Sequence, residues 1–203
     1  MRLGYGKAAD PDPKETDVPN AIELLTQEHR EAEQMLQQLQ GTRGEDMTLL
    51  QTAATELRMH MKIEEDVLYP YLRKNLTNGS NLMTEANKEH EEAKEALAQV
   101  ERTAGTEQFE QALQTLTEGI QHHVEEEETE IFPKMREDFD EKTLTDFGRQ
   151  LEEAKQQLRA EGWTGATEGM TRDELYAEAK EIGIEGRSQM NKDELQEAVE
   201  QNQ

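Results

Sequence analysis

The 203-residue chain has no cysteine, which excludes disulfide frameworks, zinc ribbons, cysteine-ligated iron–sulfur clusters and thiol nucleophiles together. Any metal must therefore be held by nitrogen and oxygen. No run of about 18 apolar residues could cross a bilayer, and the opening stretch MRLGYGKAADPDPKETD has no apolar segment, so a soluble, cytoplasmic protein with no membrane contact is expected. Positive charge is also scarce. Against 46 acidic side chains stand 22 basic ones, a formal net charge of -24, and such a surface repels nucleic-acid phosphate and anionic lipid. The excess of acid suits a salt-adapted cytoplasm and equally an ordinary acidic helical protein. Valine and isoleucine are few, and strand-like alternation is missing.

What is present is helix-forming sequence. Hydrophobic residues make up only 33% of the chain, a share that drifts toward disorder, but their spacing is periodic. The 13 glycines and 5 prolines cluster in a few places and leave long stretches rich in Glu, Gln, Ala, Leu and Lys. Residues 1–18, with Gly4, Gly6, Pro11 and Pro13 among charges, read as a flexible arm. A first helix is expected from near Pro19 to Gln40, with the stripe Ile22, Leu25, Ala32, Leu36, Leu39. A second, about Glu45 to Leu76, carries Leu50, Ala53, Leu57, Met61, Leu68 and Tyr71 on one side. The third carries Leu82, Ala86, Ala93, Leu97 and Val100, and the fourth Phe109, Leu113, Leu116, Ile120, Val124 and Ile131. Short connections between long helices make them antiparallel neighbours, an up-down four-helix bundle over residues 19–161 that includes an additional helix at 141–161. Residues 162–169 then read as a linker, and 170–203 as a small helical module with capping signals at Thr171/Glu174 and Asn191/Glu194.

Each of the four bundle helices places a histidine in its apolar row: His29, His60, His90 and His123. The bundle is also internally duplicated. The segment from His60 to Glu64 and on to Tyr69-Pro70 matches the one from His123 to Glu127 and on to Phe132-Pro133, and a lone histidine lies one helix upstream of each. Histidine and glutamate four apart stack on one helical face, so an imidazole nitrogen and a carboxylate can reach a common point. His122 with Glu126, or Glu128 in place of Glu127, would be possible substitutes, but the aromatic-proline alignment favours His123 and Glu127. Tyr69 and Phe132 read as packing residues, and the prolines as kinks or ends of their helices.

Four imidazoles and two carboxylates buried in an apolar bundle need compensation, which a cation supplies. The donor set suits two iron ions, with Fe or Mn favoured over Ca or Mg. Bridging by both glutamates and by an oxo or hydroxo group would leave one open position per octahedral ion, where a small molecule can bind. Rival motifs fail: no carboxylate stands three residues before any histidine, as the Glu-x-x-His of ferritin-like sites requires, and His90-Glu91 is followed by Lys94 where the zinc protease pattern needs histidine.

At these residues the chain resembles the hemerythrin family, specifically its HHE cation-binding branch, over roughly Asn20 to Asp138. The resemblance implies a four-helix bundle with a non-haem di-iron centre on His29, His60, Glu64, His90, His123 and Glu127. It further implies binding of dioxygen, nitric oxide or peroxide, for sensing or redox response, or enzymatic reduction of peroxide or nitric oxide. Oxygen-carrying hemerythrins have a histidine where this chain has Lys94, which argues against reversible oxygen storage. The tail, Met170 to Val199, resembles the N-terminal module of the transcription termination factor Rho, through its Asp-Glu-Leu-Tyr start and Gly-Arg-Ser-x-Met-x-Lys-x-Glu-Leu end. That likeness implies docking on a partner or on nucleic acid through Arg172, Arg187 and Lys192. The ten acidic and four basic residues from Trp163 onward disfavour phosphate.

Overall fold

The computed structural model describes residues 19–202, and the arm expected at 1–18 lies outside the described residues. Helix α1 (Ala21–Leu39) starts two residues later than the proline signal suggests. Asn20 is its N-cap and closes a capping box with Glu23, satisfying two otherwise orphaned N–H groups, and Pro19 stays outside. Helix α2 (Met47–Ile63), capped by Asp46, runs through a π turn at Glu64–Leu68 into α3 (Tyr69–Asn75). Helix α4 (Gly79–Thr103) returns, and α5 (Phe109–Glu126) passes through a second π turn, Glu127–Ile131, into α6 (Phe132–Asp138). These four rods form the bundle. Helix α7 (Glu141–Ala160) packs along α1 and α2.

The two prolines do not end their helices. Each follows a π turn in which the aromatic residue bonds five residues back, Tyr69 N–H to the Glu64 carbonyl and Phe132 N–H to the Glu127 carbonyl. The ring without an N–H therefore sits where the regular ladder has already been interrupted. The additional residue in the turn also shifts the helical phase. Tyr69 and Leu72 point inward, whereas Tyr71, expected in the core stripe, is half-buried against Phe147 and Phe139, with ring centroids 4.7 and 5.5 Å away.

Apolar packing is divided into two halves. One core gathers Ile22, Leu25, Ile63, Leu68, Met83, Ile131, Phe132 and Phe147, and the other Leu36, Leu39, Leu50, Leu57, Leu97, Phe109, Leu113 and Ile120. At about 1.5–3 kcal/mol for each large side chain taken out of water, the two halves hold the rods together. Between them lies a layer of buried histidine and glutamate.

Residues 163–169 run in turns over the bundle surface, and α8 (Arg172–Glu181) and α9 (Lys192–Glu200) pack on each other through Leu175, Ala179, Leu195 and Val199. The expected caps Thr171/Glu174 and Asn191/Glu194 are both capping boxes. Gly169 (φ +75°) lies so close to α4 that a Cβ would meet the Lys94 carbonyl at 2.1 Å, and Glu168 lies 3.7 Å from the Lys94 ammonium. Thr167 is buried and donates to Glu200, and Arg102 of α4 donates to Glu174 at 2.9 Å. Among the described residues no helix is long and apolar enough to cross a membrane.

Two glycines on helices give predictions of opposite sign. A Cβ at Gly148 of α7 would meet the Pro19 carbonyl oxygen at 2.2 Å, whereas nothing lies within 4 Å of one at the exposed Gly119 of α5. Gly148→Ala should destabilise by about 1–3 kcal/mol through overpacking. Gly119→Ala should stabilise by up to about 1 kcal/mol through helix propensity. Urea titration of both variants checks the pair.

Candidate metal centre

Helical spacing builds the buried layer. Each rod contributes one imidazole, and Glu64 and Glu127 occupy the first position of their π turns, one helical turn beyond His60 and His123. Two groups of donor atoms result, each with its atoms within 4.8 Å of one another: His29, His60, Glu64 and Glu127 in one, Glu64, His90 and His123 in the other. All six residues expected from sequence are thus brought to one place, with Glu64 common to both groups. His29 Nε2 stands 3.2 Å from Glu127 Oε2, and Glu64 Oε2 is 3.4 Å from both His60 Nε2 and His90 Nε2. His90 Nε2 and His123 Nε2 face each other at 3.0 Å. Glu127 Oε1 accepts a 2.9 Å hydrogen bond from the Tyr69 hydroxyl, which also lies 3.2 Å from His90 Nε2.

The other nitrogen of every ring is tied to a carboxylate. His29 Nδ1 faces Glu128 at 3.0 Å, His60 Nδ1 faces Glu28 at 2.7 Å, His90 Nδ1 faces Glu65 at 2.9 Å, and His123 Nδ1 faces Glu89 at 2.9 Å. A carboxylate on Nδ1 fixes that proton there and leaves Nε2 as a lone-pair donor aimed inward. The pattern obeys a pseudo-twofold relation between the two hairpins: His60 and His123 use the glutamate within their own hairpin, and His29 and His90 use one from the opposite hairpin.

Sequence reasoning missed the part these four carboxylates play, Glu128 having been weighed only as a substitute for Glu127, although the signal was there. Each is the chain neighbour of a site residue, in the pairs Glu28-His29, Glu64-Glu65, Glu89-His90 and Glu127-Glu128. Their own anchors were less legible. Lys155 of α7 holds Glu28 at 2.7 Å and Glu56 at 2.9 Å, Lys94 holds Glu65 at 2.9 Å, and Arg30 holds Glu128 at 2.6 Å. Tyr69, expected only to pack, supplies a polar contact, while its counterpart Phe132 stacks on His29 with centroids 5.8 Å apart. His122 points outward and is not in the layer.

The electrostatics follow burial and partners. Burial would raise the Glu28 carboxyl, but His60 and Lys155 overcome it and hold its pKa down at about 2. Burial and the facing Glu127 push Glu64 well above the usual carboxylate range, toward the protonated form. Burial lowers His90 to about 4 despite Glu65, keeping the ring neutral. The interior therefore holds more ligand atoms than protons to pair them. Among the described residues, His29 Nε2, His60 Nε2, both oxygens of Glu64 and Glu127 Oε2 are buried with no hydrogen-bond partner. Imidazole nitrogens and carboxylate oxygens that converge in this way are what divalent or trivalent cations of the first transition row bind, so the donor set fits two such ions.

Residues 20–135 match the family model of the hemerythrin HHE cation binding domain, and residues 168–203 match that of the Rho termination factor N-terminal domain. No curated protein matches the chain. Among solved structures, a hemerythrin HHE cation binding domain-containing protein from Mycobacterium kansasii is similar in fold, with a TM-score of 0.62 and 19% identity, covering 89% of this chain and 99% of that one. Within the tail, Arg172 donates to the Met190 carbonyl, and Arg187 donates to the Ile184 carbonyl beside the Tyr176 ring. Two of the three basic residues suggested for nucleic acid are thus used to hold the module together.

The anchoring by α7 is testable. Lys155→Met leaves a buried Glu28 without its ammonium partner and should destabilise by about 3–5 kcal/mol. The double variant Glu28→Gln/Lys155→Met should lose clearly less than the sum of the single changes in urea titrations, because Glu28 no longer needs the charge. Strict additivity would show that Lys155 does not serve Glu28.

Proposed function

Because the chain belongs to the hemerythrin HHE cation-binding family, we propose that its buried layer holds two iron ions and binds dioxygen or a related small oxidant, nitric oxide or peroxide, for sensing or redox response. The observation that carries this reading is the convergence of five partnerless buried donor atoms on two groups that share Glu64. One position would be held by His29, His60 and Glu127, the other by His90 and His123, with Glu64 between them. Iron so held supplies the electron exchange with small oxidants that imidazole and carboxylate side chains lack.

The protein's own part is positioning and exclusion. The carboxylates on Nδ1 keep all four rings in one tautomer and orientation, and the two apolar cores shut bulk water out on either side. The Tyr69 hydroxyl donates to Glu127, whereas Phe132 at the equivalent place has no such group, so the two positions differ chemically although their imidazoles are related by symmetry. Lys94 stands where oxygen-carrying relatives have a histidine, and it binds Glu65 instead. The second position thereby has one donor fewer, which favours redox chemistry over storage. Reduction of peroxide or nitric oxide is the enzymatic form of the same reading. Oxygen titration alongside anaerobic turnover with each oxidant separates the two, and absence of turnover with retained binding favours sensing.

A second role is supported by the Rho-like match of residues 168–203, namely docking of the tail on a partner in the cytoplasm. Its acidic balance and internally engaged arginines favour protein over nucleic acid. A partner still bound after deletion of residues 163–203 would remove this reading.

Metal analysis of the purified protein should find two irons per chain, with the absorption of oxo-bridged ferric iron. Glu64→Ala and Glu127→Ala should each fall below one iron per chain. A Glu64→Ala protein that keeps two irons would overturn the shared role of Glu64.

A further inference from the structure

Three of the four carboxylates that steady the histidines have their second oxygen bound to a fixed positive charge. Glu28 has Lys155, Glu65 has Lys94, and Glu128 has Arg30. Glu89 is the exception. One of its oxygens, Oε2, accepts from His123 Nδ1 at 2.9 Å, while Oε1 faces His122, and no lysine or arginine among the described residues reaches the carboxylate. The Glu89 side chain is 9% exposed, so it is only partly solvated. A half-buried carboxylate without a fixed cation is favoured when something positive lies beside it.

What lies beside it is a set of ligands. His122 Nε2 is 3.7 Å from Glu89 Oε1 and 3.5 Å from Glu126 Oε1, and one donor atom from each of the three residues falls within 4.8 Å of the others. Two carboxylates that face one another repel, and a neutral imidazole between them offers a lone pair but no charge. His122 and Glu126 stand four apart on α5, and Glu89 comes from the adjacent α4, the same one-face arrangement that builds the inner layer. Here it opens to solvent, since the His122 side chain is 64% exposed.

We infer that Glu89, His122 and Glu126 form a peripheral site for one divalent first-row transition-metal cation, which takes toward Glu89 the part that Lys155, Lys94 and Arg30 take toward the other three carboxylates. One imidazole and two carboxylates select Mn2+, Fe2+ or Zn2+ over an organic cation, and the remaining coordination positions face water. The site is separate from the inner layer in composition, because none of its three residues is an inner ligand. It touches that layer at one point, the hydrogen bond from His123 to Glu89. Occupancy therefore steadies His123 in the way fixed lysines or arginines steady the other three rings.

The test uses the full iron-loaded chain titrated with Mn2+, with free Mn2+ counted by electron paramagnetic resonance, in salt high enough to screen the general surface charge. The wild type should bind one additional Mn2+ per chain. His122→Ala and Glu126→Gln should each weaken that binding by about 10- to 100-fold while leaving iron content unchanged. His122→Lys should abolish Mn2+ binding, and Mn2+ should raise the melting temperature of the wild type but not of this variant. Absence of an additional Mn2+, or equal affinity in His122→Ala and the wild type, overturns the site. Iron content, measured separately, reports on the inner reading. A chain without iron would fail that reading, yet loss of Mn2+ binding in the His122 variants would still report on the outer site, because His122 is not an inner ligand.

Discussion

The constraint on which this architecture depends is the cost of placing charge in the middle of an apolar bundle. Glu64 and Glu127 are 0% and 1% exposed, and four imidazoles surround them at similar depth. Left alone, such groups would take up protons or draw the bundle open. The structure answers on two levels. Outward, each ring is pinned by a carboxylate, and three of those carboxylates are pinned by lysine or arginine. Inward, the lone pairs meet one another with too few protons to go round, which is the condition for cation binding. Helix α7, which carries no site histidine, belongs to this system because Lys155 reaches Glu28 from it.

The duplication explains how so many groups find partners with so little sequence. One hairpin supplies Glu28, His29, His60, Glu64 and Glu65, and the other Glu89, His90, His123, Glu127 and Glu128. Pairing within and across the hairpins then satisfies all four rings by two kinds of contact, each used twice. The departures from symmetry are informative. Tyr69 has Phe132 as its counterpart in the repeat, so a hydroxyl reaches Glu127 and, among the described residues, none reaches Glu64. Fixed cations back Glu28, Glu65 and Glu128 but not Glu89.

Much of this was legible in the chain itself. The all-α bundle followed from periodic Leu and Ala between glycine-rich turns, and the six inner residues from polar side chains interrupting apolar rows at spacings of four. The phase of the helices beyond Glu64 and Glu127 was not legible. A π turn adds a residue without changing composition, so a regular 3.6-residue count placed Tyr71 inward and left the prolines as kinks or ends, whereas the helices run on past them. Long-range partners were hidden for a different reason. Lys155 and Glu28 are 127 residues apart, and in a chain so rich in acid no local pattern singles out which glutamate a given lysine will meet.

The crossed anchoring of His29 bears on how the molecule is made. Its carboxylate, Glu128, lies 99 residues downstream, whereas His60 finds Glu28 within the first hairpin. During synthesis on the ribosome the first two helices can pair and bury their leucines while one ring still lacks its anchor and Glu64 still lacks its opposite number. Closure of the polar layer is thus a late event, deferred until the second hairpin has emerged. A nascent chain stalled before that point would display a loosely held imidazole and carboxylate, open to whichever metal the surroundings offer first.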